Sequence, residues 1–172
     1  MDITQDPLVR KALAVPRLRQ HIVNKGTMYL YCDYAGFAER SAFGTAVCMV
    51  YNRTINVAAR KLPIGQDLGS SYGEMMAIIL SLEMLAAALS EHRPHNAVIY
   101  TDCSRISRLL DQDRFAHPHD EQARDQLLAA LAELRSQFPE VEVQITYMRS
   151  HRKNNFLHRM AHNAARKAAE PS

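Results

Sequence analysis

The stretch that constrains this chain most is residues 27–36, TMYLYCDYAG. Met28, Leu30 and Cys32 fall on one side and Tyr29, Tyr31 and Asp33 on the other, at the period-2 spacing of a strand. Aromatic residues are frequent, and no Gly or Pro interrupts the run before Gly36, which suits a sheet interior. The run also delivers an acid, Asp33, at its C-terminal end. A carboxylate at the edge of a sheet core costs free energy unless it is solvated, paired or bound to a metal.

Two further strand patterns follow closely, 43–52 (FGTAVCMVYN) and 54–62 (TINVAARKL), joined by an Asn52-Arg53 turn. Three successive strands with short connections predict an antiparallel meander. After a loop at 63–69, Ser70 and Ser71 are candidate N-caps. They precede an apolar helix over 72–89, in which Met75, Ile78, Ile79, Leu82, Leu85, Ala86 and Leu89 keep helical spacing. Glu74 stands three residues after Ser71, so a capping-box use of Glu74 stays open beside a functional one. Residues 97–101 (AVIYT) read as a buried strand delivering a second acid, Asp102. A short helix over 104–110, an amphipathic helix over 120–138, a strand over 141–148 and a last helix over 156–169 complete the order. That order, β-β-β-α-β-α-α-β-α, predicts an α/β fold. Its five-stranded mixed sheet has three antiparallel strands, then two parallel, with helices on both faces. Residues 1–25 read as a basic N-terminal extension broken at Pro16, which either packs on the domain or serves as a basic arm; residues 26–172 form the domain.

A chain of 172 residues is long enough for one domain with a full core and no disulfides. Cys32, Cys48 and Cys103 show neither a paired framework nor a metal-ligand spacing, and read as core thiols in a reducing cytoplasm. The most apolar run, 75–89, contains Ser81 and Glu83 and is expected to be too short and too polar to cross a bilayer. The N-terminus, with Asp2 and Asp6, does not read as a signal peptide. The net charge of +3 is unevenly spread. Arg10, Lys11, Arg17, Arg19 and Lys25 stand without acids between 7 and 32, as do Arg149, Arg152, Lys153, Arg159, Arg166 and Lys167 between 149 and 167. Such ends suit a polyanionic partner, although a solvated helix face explains either run alone.

Asp33 and Asp102 both end apolar strands, and in open α/β sheets that end is where ligands bind. Glu74 opens the helix that must pack on the sheet. Three carboxylates brought together would repel, and hard divalent cations would remove the conflict. With two such ions an in-line phosphoryl displacement can be stabilised at both oxygens. With these residues in this order, the chain from about 27 to 169 resembles type 1 ribonuclease H and its bacterial ribonuclease H-like relatives. SSYGEMMAIILSLEML at 70–85 is similar to the family's motif helix, with Glu74 as its metal-binding glutamate. Asp102 in IYTDCSR and Asp33 in YLYCDYAG match its strand-end aspartates. The resemblance implies a divalent-metal-dependent endonuclease that hydrolyses the RNA strand of RNA–DNA hybrids, leaving 5′-phosphate and 3′-hydroxyl ends; the chain is expected to act as a monomer. It also implies Mg²⁺ or Mn²⁺ as cofactor, with two ions when substrate is bound.

Two departures from the family pattern stand out. Asp33 is followed by Tyr34, Ala35 and the segment 37–40 rather than by a small pair and a Gly/Asn-rich loop. Asn154 and Met160 put His158 where the family carries its fourth acid, and no acid lies between Glu142 and Glu170. An imidazole there ligates Mn²⁺ better than Mg²⁺. His162, one turn later, competes for that role. His151 in MRSHRKNN matches the family's mobile-loop histidine, which assists proton transfer or product release; phosphate contact or solvation explains it equally. The resemblance thus makes Asp33, Glu74, Asp102 and His158 the metal set and adds His151 to the catalytic one. Arg149, Arg152, Lys153, Asn154 and Arg159 would hold the nucleic-acid backbone by shape. His117-Pro-His119 with Asp120 is a fragmentary metal site. Two rivals remain: a catalytically degenerate module that binds nucleic acid or protein, and a different nuclease on the same fold, such as a resolvase or exonuclease.

Overall fold

Side-chain alternation along the first strand builds both layers of the molecule. The structure, a computed structural model, describes residues 6–149 and 153–170. Its strands are β1 (Thr27–Phe37), β2 (Ala42–Tyr51), β3 (Thr54–Lys61), β4 (Asn96–Thr101) and β5 (Glu142–Tyr147). They form one sheet in the order β3-β2-β1-β4-β5. β1, β2 and β3 are antiparallel neighbours, and β1, β4 and β5 are parallel ones. The helices are α1 (Pro7–Ala14), α2 (Pro16–Val23), α3 (Ser70–Leu89), α4 (Ile106–Asp111), α5 (Pro118–Gln137) and α6 (Phe156–Ala169). Met28, Leu30 and Cys32 join α3 and α5 in the core on one face. Tyr29 and Tyr31 meet α1, α2 and α6 on the other. This is the expected mixed sheet with helices on both faces.

The central helix α3 lies between the sheet and α5, so it is apolar around most of its circumference. By length and composition alone it could cross a membrane, contrary to expectation; in the fold it is the core helix. Its buried Ser81 hydroxyl donates to the Ala77 carbonyl at 3.0 Å, so burial leaves that group paired.

Pro16 does not merely interrupt the N-terminal segment. Pro7 and Pro16 each occupy the start of a helix, where their missing N–H costs nothing. Val9, Ala12, Leu18 and Ile22 are buried against Tyr31, Val50, Leu157 and Ala161. The Asn52 and Arg53 amides donate to the carbonyls of Asn24 and Ile22 at 2.8 and 2.7 Å. These two turn residues have φ of 48° and 66°, the left-handed pair that matches strand twist in a tight hairpin. Residues 7–23 therefore pack on the sheet rather than form a loose arm.

Two features of the sheet place the site. The parallel pairing of β1 with β4 ends at Tyr31–Tyr100, while β1 continues beside β2 to Phe37–Ala42. Asp33 therefore lies in mid-strand, not at the strand end expected, because its hairpin partner sustains β1 beyond the reach of β4. The second feature is Gly44 on β2. A Cβ there would sit 2.6 Å from the Ala165 carbonyl oxygen and 2.8 Å from the Ala169 nitrogen. Only glycine lets the α6 backbone come so close to the sheet.

Candidate metal centre

Asp33 projects from the same face of β1 as Tyr29 and Tyr31, beneath α6, and is 3% exposed. Asp102 follows the last residue of β4. The Thr101 hydroxyl accepts the Cys103 amide at 3.1 Å, which turns the chain away directly after the acid. His158 lies in the first turn of α6, where Asn155 is the N-cap and accepts the His158 amide at 2.9 Å. One ligand atom from each of Asp33, Asp102 and His158 lies within 4.8 Å of the others.

Both oxygens of Asp33 face imidazoles. His162 Nδ1 is 2.7 Å from Oδ2, and His158 Nε2 is 3.8 Å from Oδ1. Burial pushes the Asp33 carboxyl up, but the hydrogen bonds and charge of His158 and His162 outweigh it and hold the group below the usual carboxylate range. His162 was only the alternative to His158 in the sequence; the fold uses both. Their i, i+4 spacing, which puts two side chains on one helix face, was the available signal.

Glu74 is buried in the second turn of α3, five residues after the N-cap and so beyond the capping-box position. The N-cap is Gly69, with φ of 95° and no side-chain cap bond, so neither Ser70 nor Ser71 serves as expected. The Ser71 hydroxyl instead accepts Arg105 Nη2 at 2.6 Å, tying the start of α3 to the segment after Asp102. Burial raises the Cys32 and Cys103 thiols, and the charge of Glu74 raises both further. Those cysteines are the sequence neighbours of Asp33 and Asp102, so the charge of Glu74 is felt beside both strand acids. Glu74 is not, however, a member of the close group, in which His158 stands.

Among the other sequence candidates, Arg149, Lys153, Asn154 and Arg159 are exposed. Arg149 and Asn154 adopt left-handed φ of 44° and 55°. Asn154 and Arg159 line a cavity of about 360 Å³ with His158, His162 and Asn163. His151 and Arg152 lie outside the described residues. At the start of α5, His119 Nε2 and Asp120 Oδ1 are 3.6 Å apart and the His117 ring stacks on His119. Among the described residues they do not form a second group of three ligands.

The strand order, the helices on both faces and the acids beside the parallel strands define a ribonuclease H-like fold. Solved structures similar to this chain include RNase H1 from the halophilic archaeon Halobacterium salinarum, at TM-score 0.59 and 18% identity, covering 83% of this chain and 97% of that one. LC11-RNase H1, isolated from compost and solved in complex with RNA/DNA hybrid, gives 0.56 and 16% over 83% and 99%. LC9-RNase H1, described as a type 1 RNase H with the type 2 active-site motif, gives 0.58 and 14% over 86% and 74%. No protein-family model matches the chain, and neither does any curated protein sequence.

Proposed function

We propose that this protein is a divalent-metal-dependent nuclease that hydrolyses the RNA strand of RNA–DNA hybrids. The observation that carries the reading is the approach of Asp33, Asp102 and His158 to within 4.8 Å at the carboxyl end of the parallel strands. The donors fit a metal: two carboxylates and an imidazole form a mixed oxygen–nitrogen set that suits Mn²⁺ better than Mg²⁺, and Glu74 on α3 is a further acid for the site. When bound, such ions lower the pKa of an attacking water and stabilise charge on the leaving oxygen.

The chain's own residues supply the rest. His162 orients the Asp33 carboxylate and leaves the other edge of its ring, half exposed, toward the cavity beside Arg159. Arg149, Lys153 and Arg159 would hold phosphates without reading bases. The hybrid is the favoured substrate because of the fold and because one structure similar to this chain was solved on an RNA/DNA hybrid. The buried, reduced cysteines fit action in a reducing cytoplasm.

The test is cleavage of labelled hybrid, RNA duplex and DNA duplex with Mg²⁺ or Mn²⁺, beside an Asp102→Asn control. Hybrid-specific cutting that is stronger with Mn²⁺ and lost in the control is expected. Binding without cutting would make the protein a non-catalytic module. Cutting of DNA ends or junctions would move it to another nuclease class.

A further inference from the structure

Beneath the metal candidates runs a chain of buried polar side chains that starts in the N-terminal helices. His21 on α2 is 9% exposed, Tyr31 on β1 is 0% and Asn155 is 5%. His21 Nδ1 is hydrogen-bonded to the Tyr31 hydroxyl. The Asn155 side chain lies within reach of the same hydroxyl and opposes the rise in its pKa that burial causes. Asn155 Oδ1 accepts the His158 amide at 2.9 Å, so the same side chain meets both the Tyr31 hydroxyl and the first turn of α6. The His21 ring is held flat on Tyr29, with centroids 3.7 Å apart and planes 6° from parallel. Polar groups this deeply buried are costly unless each is paired, and apolar rings of the same size would fill the space. What the polar version adds is a defined orientation.

We propose that His21 is a positioning residue of the candidate metal centre: acting through Tyr31 and Asn155, it sets the first turn of α6 and so the placement of His158. The N-terminal helix pair lies outside the stretch that resembles ribonuclease H. In this protein it completes the scaffold of the centre. Tyr31 is also two residues before Asp33 on the same strand face, so one network braces both donors. The metal part of this inference rests on the function proposed above; the coupling from His21 to α6 does not.

His21→Phe and Tyr31→Phe keep the rings and remove the hydrogen bonds. His21→Asn returns a polar atom near the Nδ1 position. Ile22→Val trims the same helix without touching the network. The first measurement is hydrogen exchange at the His158 amide in the metal-free protein. Exchange is expected to quicken about tenfold in both Phe variants, the scale of one lost hydrogen bond, and to return toward the native rate in His21→Asn. The second is calorimetric Mn²⁺ affinity, expected to weaken by about tenfold in step. Ile22→Val should lower the melting temperature and change neither. Native exchange at His158 in a folded His21→Phe protein would overturn the coupling, as would an equal change in Ile22→Val. If Tyr31→Phe does not fold, the His21→Phe and His21→Asn pair decides. Absence of Mn²⁺ binding in both the native protein and Asp102→Asn would sink the metal centre, while the exchange result would still judge the coupling.

Discussion

Asp33 and Glu74 are the two acids buried among the described residues, and their surroundings differ. Asp33 has an imidazole at each oxygen, so it stays ionised inside the fold. Replacing His158 by Asp should convert the mixed donor set to an all-oxygen one. The preference for Mn²⁺ over Mg²⁺ is expected to fall about tenfold, measured by competition calorimetry; an unchanged ratio would mean that His158 is not a ligand. The thiols give a second residue-scale expectation. Burial pushes Cys48 up to about 12 and raises Cys32 and Cys103. A raised thiol pKa means that the reactive anion is scarce at neutral pH, about one part in ten thousand for Cys48 at pH 8. A chromogenic disulfide reagent at pH 8 should leave the native cysteines unmodified for hours and titrate all three once the chain is denatured. Rapid native labelling of Cys48 would contradict this.

At the scale of elements, α6 carries His158 and His162, and its seat on β2 depends on Gly44. Gly44→Ala would drive a Cβ into the α6 backbone at 2.6 and 2.8 Å, where no flexible side chain can yield. A loss of about 1–3 kcal/mol in urea denaturation is expected, with Mn²⁺ affinity falling as α6 shifts. Gly65→Ala, whose Cβ would meet nothing within 4 Å, should stay within about 0.5 kcal/mol of the parent. The elements themselves were largely legible along the chain. The strands and the long helices follow patterns in Met28–Leu30–Cys32, Ala97–Thr101 and Leu127–Leu131–Leu134. The ends were less so. Ser70 and Ser71 have the right chemistry to cap α3, yet Gly69 holds the N-cap position and the Ser71 hydroxyl accepts Arg105 from 34 residues away.

For the whole molecule, the open question in the sequence was residues 1–25. The basic residues suited an arm, and packing on the domain was the alternative. The fold makes α1 and α2 part of the layer that covers the sheet beside α6. Leu18→Ala should therefore cost about 2–5 kcal/mol, roughly 2–4 °C of melting temperature per kcal/mol. A substitution with no effect on the urea midpoint would return the segment to the role of a loose arm. Periodicity and turn chemistry are properties of neighbours along the chain, so they revealed the strands, the helices and the mixed sheet. They could not say that His158 rather than Glu74 would join Asp33 and Asp102 in the close group, that His162 would bond Asp33, or that His21 would meet the Tyr31 hydroxyl. Those outcomes depend on where α6 lands on the sheet and what is buried beneath it. Contacts between residues more than a hundred positions apart fix both, and no local pattern encodes them.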